Sequence, residues 1–247
     1  MNTGKKKKMK LYLLFTLLVP LNMLAINKEN KEQAPFRYFS QPGVKQDQYL
    51  HETFFKEKRG GTFIDIGAHD GVTYSNTYFF EKYLGWTGIC IEPMPEIFKQ
   101  LKQNRKCICV NGCIAEFNGT RKFMQVSGPS NMLSGLIEFC DNRHLTRIYR
   151  EVAQLGGEIT ILDMQCFRLN DLLKTHAIPH VDLLSVDVEG AEFAILQSID
   201  FSTVDIDVIC VENNNDTSDV RVLLEKAGYS FVIKLVYSDD IYKKIRL

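Results

Sequence analysis

The sequence predicts an α/β fold built on a mostly parallel sheet, and three observations carry that prediction. From residue 61 to the C-terminus, apolar runs of strand length alternate with longer, helix-compatible stretches. The runs FIDI and ICIE lack the polar alternation of a half-exposed strand, so helices are expected to cover both faces of the sheet. At 247 residues, 45% hydrophobic and 24% charged, with 7 Pro and 16 Gly, the chain can build a sizeable core and is neither disordered nor collagen-like.

The elements follow in order. Lys5, Lys6, Lys7, Lys8 and Lys10 precede the uncharged run LYLLFTLLVPLNMLAI, the layout of a secretory signal. That run is shorter than the roughly 20 apolar residues of a spanning helix and contains Pro20 and Asn22. Residues 1–26 therefore read as a cleaved signal peptide or an uncleaved signal-anchor. Membrane association through residues 5–26 and a place in the secretory pathway go with that reading. The bland alternative, a basic tail with a buried apolar segment, goes with a cytoplasmic protein. The whole chain balances 30 basic against 30 acidic residues, so the part beyond the lysines is net acidic. No nucleic-acid partner is expected of such a chain.

Residues 27–59, with SQPGVKQD and a short amphipathic segment, read as a lead-in to a main domain at 60–247. There TFIDIG, TGICIEP and KCICVNG are expected strands, with helices over 74–84 and 96–104 between them. About 119–163 breaks the alternation. RKFMQV, the loop SGPSNMLSG, a polar stretch and GGEITILDMQCF predict an insertion of two strands and one helix, acting as a lid or acceptor-binding region. The alternation resumes with VDLLSVDVEG, a helix over 191–198, DIDVICVEN and a helix over 219–227. YSFVIKLV and DDIYKKIRL then close the sheet as an antiparallel hairpin. The seven cysteines sit mostly in apolar runs without zinc-ligand spacing, so reduced structural thiols and no metal site are expected.

Four expected strands end in an acid: Asp65, Glu92, Asp187 and Glu212. Ligands of open α/β sheets bind beyond the carboxyl ends of the strands, so these carboxylates should converge. Gly67 and Gly71 follow the first acid in DIGAHDG, allowing the turn to pass close to a ligand, but the segment is not a G-x-G-x-x-G dinucleotide fingerprint. An acid before the loop is a poor neighbour for pyrophosphate and a good one for a cation. S-adenosylmethionine, with its ammonium and sulfonium, suits such a site. Glu92, at the end of the second strand, is placed to accept hydrogen bonds from a ribose diol. Asp187 and Glu189 are the candidate general bases for an alcohol acceptor, and both lie on one side if the chain stays extended. Glu189 is alternatively a helix cap. His69 is a second base or a packing residue. A divalent ion held by Asp187, Glu212 and Asn213 is a weaker alternative.

DIGAHDG, SNT, GWTGICIEP and SVDVEGAE resemble the FkbM-type S-adenosylmethionine-dependent methyltransferases, and SQPGVKQD is similar to the lead-in of many members. The resemblance implies a class I methyltransferase fold with seven strands, the last antiparallel, and methyl transfer to oxygen on a sugar, glycan or natural product. Asp65, Gly67, His69 and Gly71 would then form the cofactor loop, Glu92 would hold the ribose, and Asp187 would sit beside the methyl and the acceptor. Cys113 would lie near the adenine, or be a simple core thiol. The competing expectation is a silent methyltransferase-fold module in the secretory pathway, glycosylated at the sequons of Asn118 or Asn215.

Overall fold

The computed structural model describes residues 36–214, 217–236 and 239–246. The expected signal or anchor at 1–26 and the sequon at Asn215 lie outside the described residues. No helix among the described residues is long and apolar enough to cross a membrane.

The chain enters through α1 (Gln46–Leu50), which continues into a π-helical turn, His51–Phe55. It then lays down β1 (Thr62–Ile66), α2 (Tyr78–Leu84), β2 (Thr87–Glu92), α3 (Pro95–Asn104) and β3 (Ile108–Asn111). The middle contributes β4 (Cys113–Ile114), β5 (Gly119–Val126), β6 (Gly135–Leu136), α4 (Asn142–Leu155) and β7 (Ile159–Phe167). Closing the chain are α5 (Leu169–Thr175), β8 (His180–Val186), α6 (Glu192–Ser198), β9 (Asp205–Glu212), α7 (Ser218–Lys226), β10 (Tyr229–Leu235) and β11 (Asp239–Lys244).

Seven strands form the main sheet in the order β10-β11-β9-β8-β1-β2-β3. All neighbours are parallel except β11, which runs antiparallel to both β9 and β10. This is the fold class that the sequence predicts. Alternate side chains of each central strand enter different cores: Ile64 and Ile89 pack with Leu173 of α5, Leu196 of α6 and Leu224 of α7. Phe63, Cys90 and Leu183 pack on the other face with Phe80 of α2 and Leu101 of α3. Burial on both faces is why FIDI and ICIE carry no polar alternation.

Three expectations are corrected. The lead-in is not separate from the domain: Leu50 and Phe55 are buried in the second of these cores. The helix expected over 74–84 begins at Tyr78, because Tyr74 takes a left-handed φ of 56° and the Ser75 hydroxyl accepts from the Thr77 and Tyr78 amides instead of letting a helical turn form. The insertion is a four-stranded sheet, β4-β7-β5-β6, with two long strands and one helix as expected. It runs wider than 119–163, since β7 continues to Phe167 and pairs there with Cys113 and Ile114.

Candidate active site

Beyond the carboxyl ends of the parallel strands lies a cavity of about 700 Å³, and all four strand-end acids line it: Asp65, Glu92, Asp187 and Glu212. Gly67, His69, Cys113 and Glu189 line it as well. The insertion supplies Asn131, Met132 and Arg147, the last from α4, so it faces the cavity.

The loop after β1 is drawn tightly against the end of β8. The Asp187 amide donates to the Ile66 carbonyl at 3.0 Å. A β-carbon on Gly67, whose φ is +88°, would sit 1.8 Å from the Asp187 carbonyl oxygen, so only glycine permits this approach. Gly71 is different. It does not line the cavity, and a β-carbon there would strike the side chains of Arg105 and Leu101. Its φ of +81° makes a left-handed turn in the loop, packed on α3.

Glu92 is buried, and its two oxygens accept from the His69 amide at 3.0 Å and the Met94 amide at 2.8 Å. Burial outweighs these two bonds and pushes its carboxyl up to about 7. Asp65 is also raised by burial, against the pull of Arg105. One of its oxygens accepts from the Thr77 hydroxyl at 2.5 Å and lies 3.9 Å from the Arg105 guanidinium. That oxygen is therefore committed to the fold. Arg105, which the sequence reading passed over, is buried and also bonds Glu81 at 2.7 Å, the Thr77 hydroxyl at 3.0 Å and the Gly71 carbonyl at 3.1 Å.

Asp187 opens onto the cavity yet is ringed by protein. Burial, then the charges of Glu212, Glu189, Asp239 and Glu192, hold its carboxyl well above the usual range. Burial with Glu189 and Glu192 likewise pushes Glu212 up to about 8. The chain does not stay extended after Asp187: β8 ends at Val186, and Glu189 is left-handed at φ 59°. Asp187 and Glu189 share the cavity through this bend rather than through strand alternation. Glu189 lies 3.7 Å from His144 and 4.0 Å from Arg147. It caps no helix, because the loop amides of Val188 and Gly190 donate to Glu192 instead.

Among the other candidates, His69 Nε2 meets Asn131 at 3.3 Å. Cys113 pairs with Cys166 across β4 and β7, and the bond between their thiols, with burial, raises the Cys113 thiol. The set Asp187, Glu212 and Asn213 is not assembled: the Asn213 amide is taken by Asp240 at 2.8 Å and by Thr217, and it does not line this cavity.

The sequence profile described as the Methyltransferase FkbM domain matches residues 65–231, more than half of the chain. The chain belongs to the FkbM methyltransferase family. It is an S-adenosylmethionine-dependent methyltransferase by that membership. This FkbM chain is similar to Methyltransferase 1 of Beauveria bassiana (strain ARSEF 2860), 25% identical over 81% of this chain and 88% of that protein. Among solved structures it is similar to an FkbM methyltransferase from Methylobacillus flagellatus KT, at 10% identity and a TM-score of 0.46 over 83% of this chain and 56% of that one. It is also similar to precorrin-6y C5,15-methyltransferase from Geobacter metallireducens GS-15, at 10% identity and a TM-score of 0.41 over 85% and 94%.

The raised carboxyls of the FkbM site predict how its stability depends on pH. Folded Glu92 and Glu212 keep protons, at about 7 and about 8, that the unfolded chain has already released. Their contribution is present below the ordinary carboxylate range and is lost as pH rises through 7 and 8. Asp182 and Asp205 are held below their ordinary values and add slope only in acid. His51, lowered by burial, works with the opposite sign and only below about pH 6.5. Thermal melts of the protein without cofactor should therefore fall from about pH 6.5 to 8.5, and Glu92→Gln should flatten the part near pH 7. A flat or rising wild-type profile over that window would contradict the assignment.

Proposed function

We propose that this protein transfers a methyl group from S-adenosylmethionine to a hydroxyl of a sugar, glycan or natural product. The observation that carries the reading is the convergence of four strand-end carboxylates on one cavity, with two of them pushed toward or above neutrality chiefly by burial.

The residues present fit the cofactor. Among the described residues, the cavity wall holds five carboxylates and one arginine, Arg147, which matches a cationic ligand rather than a phosphate. Glu92 would hold the ribose hydroxyls, since each of its oxygens keeps a lone pair beyond the amide that it already accepts. When bound, the cofactor supplies a methyl group already activated on a sulfonium. What the protein must then do is align the acceptor oxygen, exclude water and take one proton. Asp187 is the base in this reading, because it opens onto the cavity and its raised affinity for a proton suits it to receive one. Glu189, tied to His144 and Arg147, would fix the acceptor, with Asn131 and Met132 of the insertion. Residues 1–26 remain proposed as a signal or membrane anchor, and the N-terminal sequence and cellular fraction of the mature protein would decide between them.

Calorimetry tests the cofactor assignment directly. The wild type should bind S-adenosylhomocysteine, and Glu92→Gln should weaken that binding about 10- to 100-fold by converting charged hydrogen bonds to neutral ones. No binding by the wild type at millimolar ligand would sink the proposal. Transfer from labelled cofactor to a panel of sugars and polyols then tests the acceptor class.

A further inference from the structure

Part of the cavity wall comes from outside the matched residues 65–231. Pro42, Gly43 and Val44 of the lead-in turn line it, as does Gln46, the first residue of α1. The turn is pinned by the buried carboxylate of Asp47, which accepts from the Phe39 amide and the Ser40 hydroxyl at 2.5 Å each and from the Gln48 amide at 2.8 Å. Ser40 in turn bridges to Tyr74, beside Asn76.

Gln46 and Asn76 are 5% and 6% exposed, and both line the cavity. Each amide is oriented by a bond from its nitrogen: Gln46 Nε2 donates to Asp239 at 2.9 Å, and Asn76 Nδ2 donates to the Ser185 hydroxyl at 3.1 Å. Neither Gln46 Oε1 nor Asn76 Oδ1 has a donor among the described residues. Buried acceptors are almost always satisfied, so two unsatisfied oxygens on one cavity wall call for donors that a ligand brings. The Asn76 tether is on β8, and the Gln46 tether is on β11, opposite Glu212 of β9. Ser185 lies two residues before Asp187, and Asp239 is among the charges that act on Asp187.

We propose that Gln46 and Asn76 receive the α-ammonium group of the bound cofactor, so that the lead-in completes the cofactor site. This rests on the reading of the cavity as the S-adenosylmethionine site. An ammonium brings three N–H donors and a positive charge, which matches two neutral oxygens beside an acidic wall. A sugar hydroxyl brings one donor and no charge, and the amino group of adenine brings two donors and no charge. The segment before the matched domain is then a specificity element rather than a linker.

The test uses the full chain and two ligands, S-adenosylhomocysteine and its deaminated analogue that keeps the carboxylate. The wild type should bind the first at least about tenfold more tightly by calorimetry, the usual scale of a hydrogen bond to a charged group. Gln46→Leu and Asn76→Leu should each weaken S-adenosylhomocysteine about tenfold while leaving the analogue within about twofold. Equal affinity of the wild type for the two ligands overturns the proposal without any variant. Equal losses for both ligands in the variants, or no loss for either, overturn it too. A wild type that binds neither ligand defeats the cofactor reading instead.

Discussion

Asp187→Asn is expected to lower the rate of methyl transfer by about 10²- to 10⁴-fold, the span of a lost general base, while binding of S-adenosylhomocysteine persists. The substitution removes a proton acceptor and changes little else. Burial, then the charges of Glu212, Glu189, Asp239 and Glu192, raise the affinity of Asp187 for a proton in the free protein, and a bound cation would offset that repulsion and leave the carboxylate free to act as the base. A neutral amide there removes one charge from the buried acidic cluster, so the melting temperature without cofactor should stay the same or rise. A single-turnover measurement with saturating cofactor separates the two effects. If Asp187→Asn retained more than about a tenth of the wild-type rate, the base would have to be another group, with Glu189 next in line.

Arg105→Met should produce the largest loss of stability of any single change considered. The guanidinium is fully enclosed and answers two carboxylates, Asp65 and Glu81, and its carbon lies 5.0 Å from the centroid of the Phe63 ring and 5.5 Å from that of the Tyr78 ring. Removing one member of a buried ion pair typically costs about 3–5 kcal/mol because the partner charge is stranded. For a chain of this size that corresponds to a fall of roughly 6–20 °C in melting temperature. The double variant Arg105→Met with Asp65→Asn should recover part of the loss, since one of the stranded charges has gone. Thermal melts of the two proteins decide it: a double variant no more stable than the single one would show that Asp65 is not the partner that matters.

Much of the fold was legible because its signals are local. FIDI and ICIE announce central strands by being apolar at every position, and the acids that end them announce the ligand edge. The third and fourth acids, Asp187 and Glu212, follow the same rule at β8 and β9. What escaped the reading depends on contacts between distant segments. Nothing near Arg105 in the sequence marks it as the partner of Asp65, 40 positions earlier. Gly71 looks like a ligand glycine beside Gly67, and only the packing of Arg105 and Leu101 distinguishes the two. Gln46 lies in a stretch that reads as a lead-in to the domain, and its place in the cavity depends on a bond to Asp239, 193 positions away. The start of α2 was misplaced for a smaller reason, the competition of one serine hydroxyl for two backbone amides.

The position of β11 has a consequence for how the protein comes into being. β11, made after every other strand of this sheet, is not at its edge but between β9 and β10, and it carries the aspartate that holds Gln46. The five parallel strands can pair during synthesis, yet β10 has no partner and β9 keeps one open edge until β11 emerges, and such edges are sites for mispairing with other nascent chains. The pocket wall near the start of the domain is likewise unfinished until that moment. A product truncated before β11 would hold the glycine loop and all five parallel strands and still lack the bond that fixes Gln46 in the pocket wall.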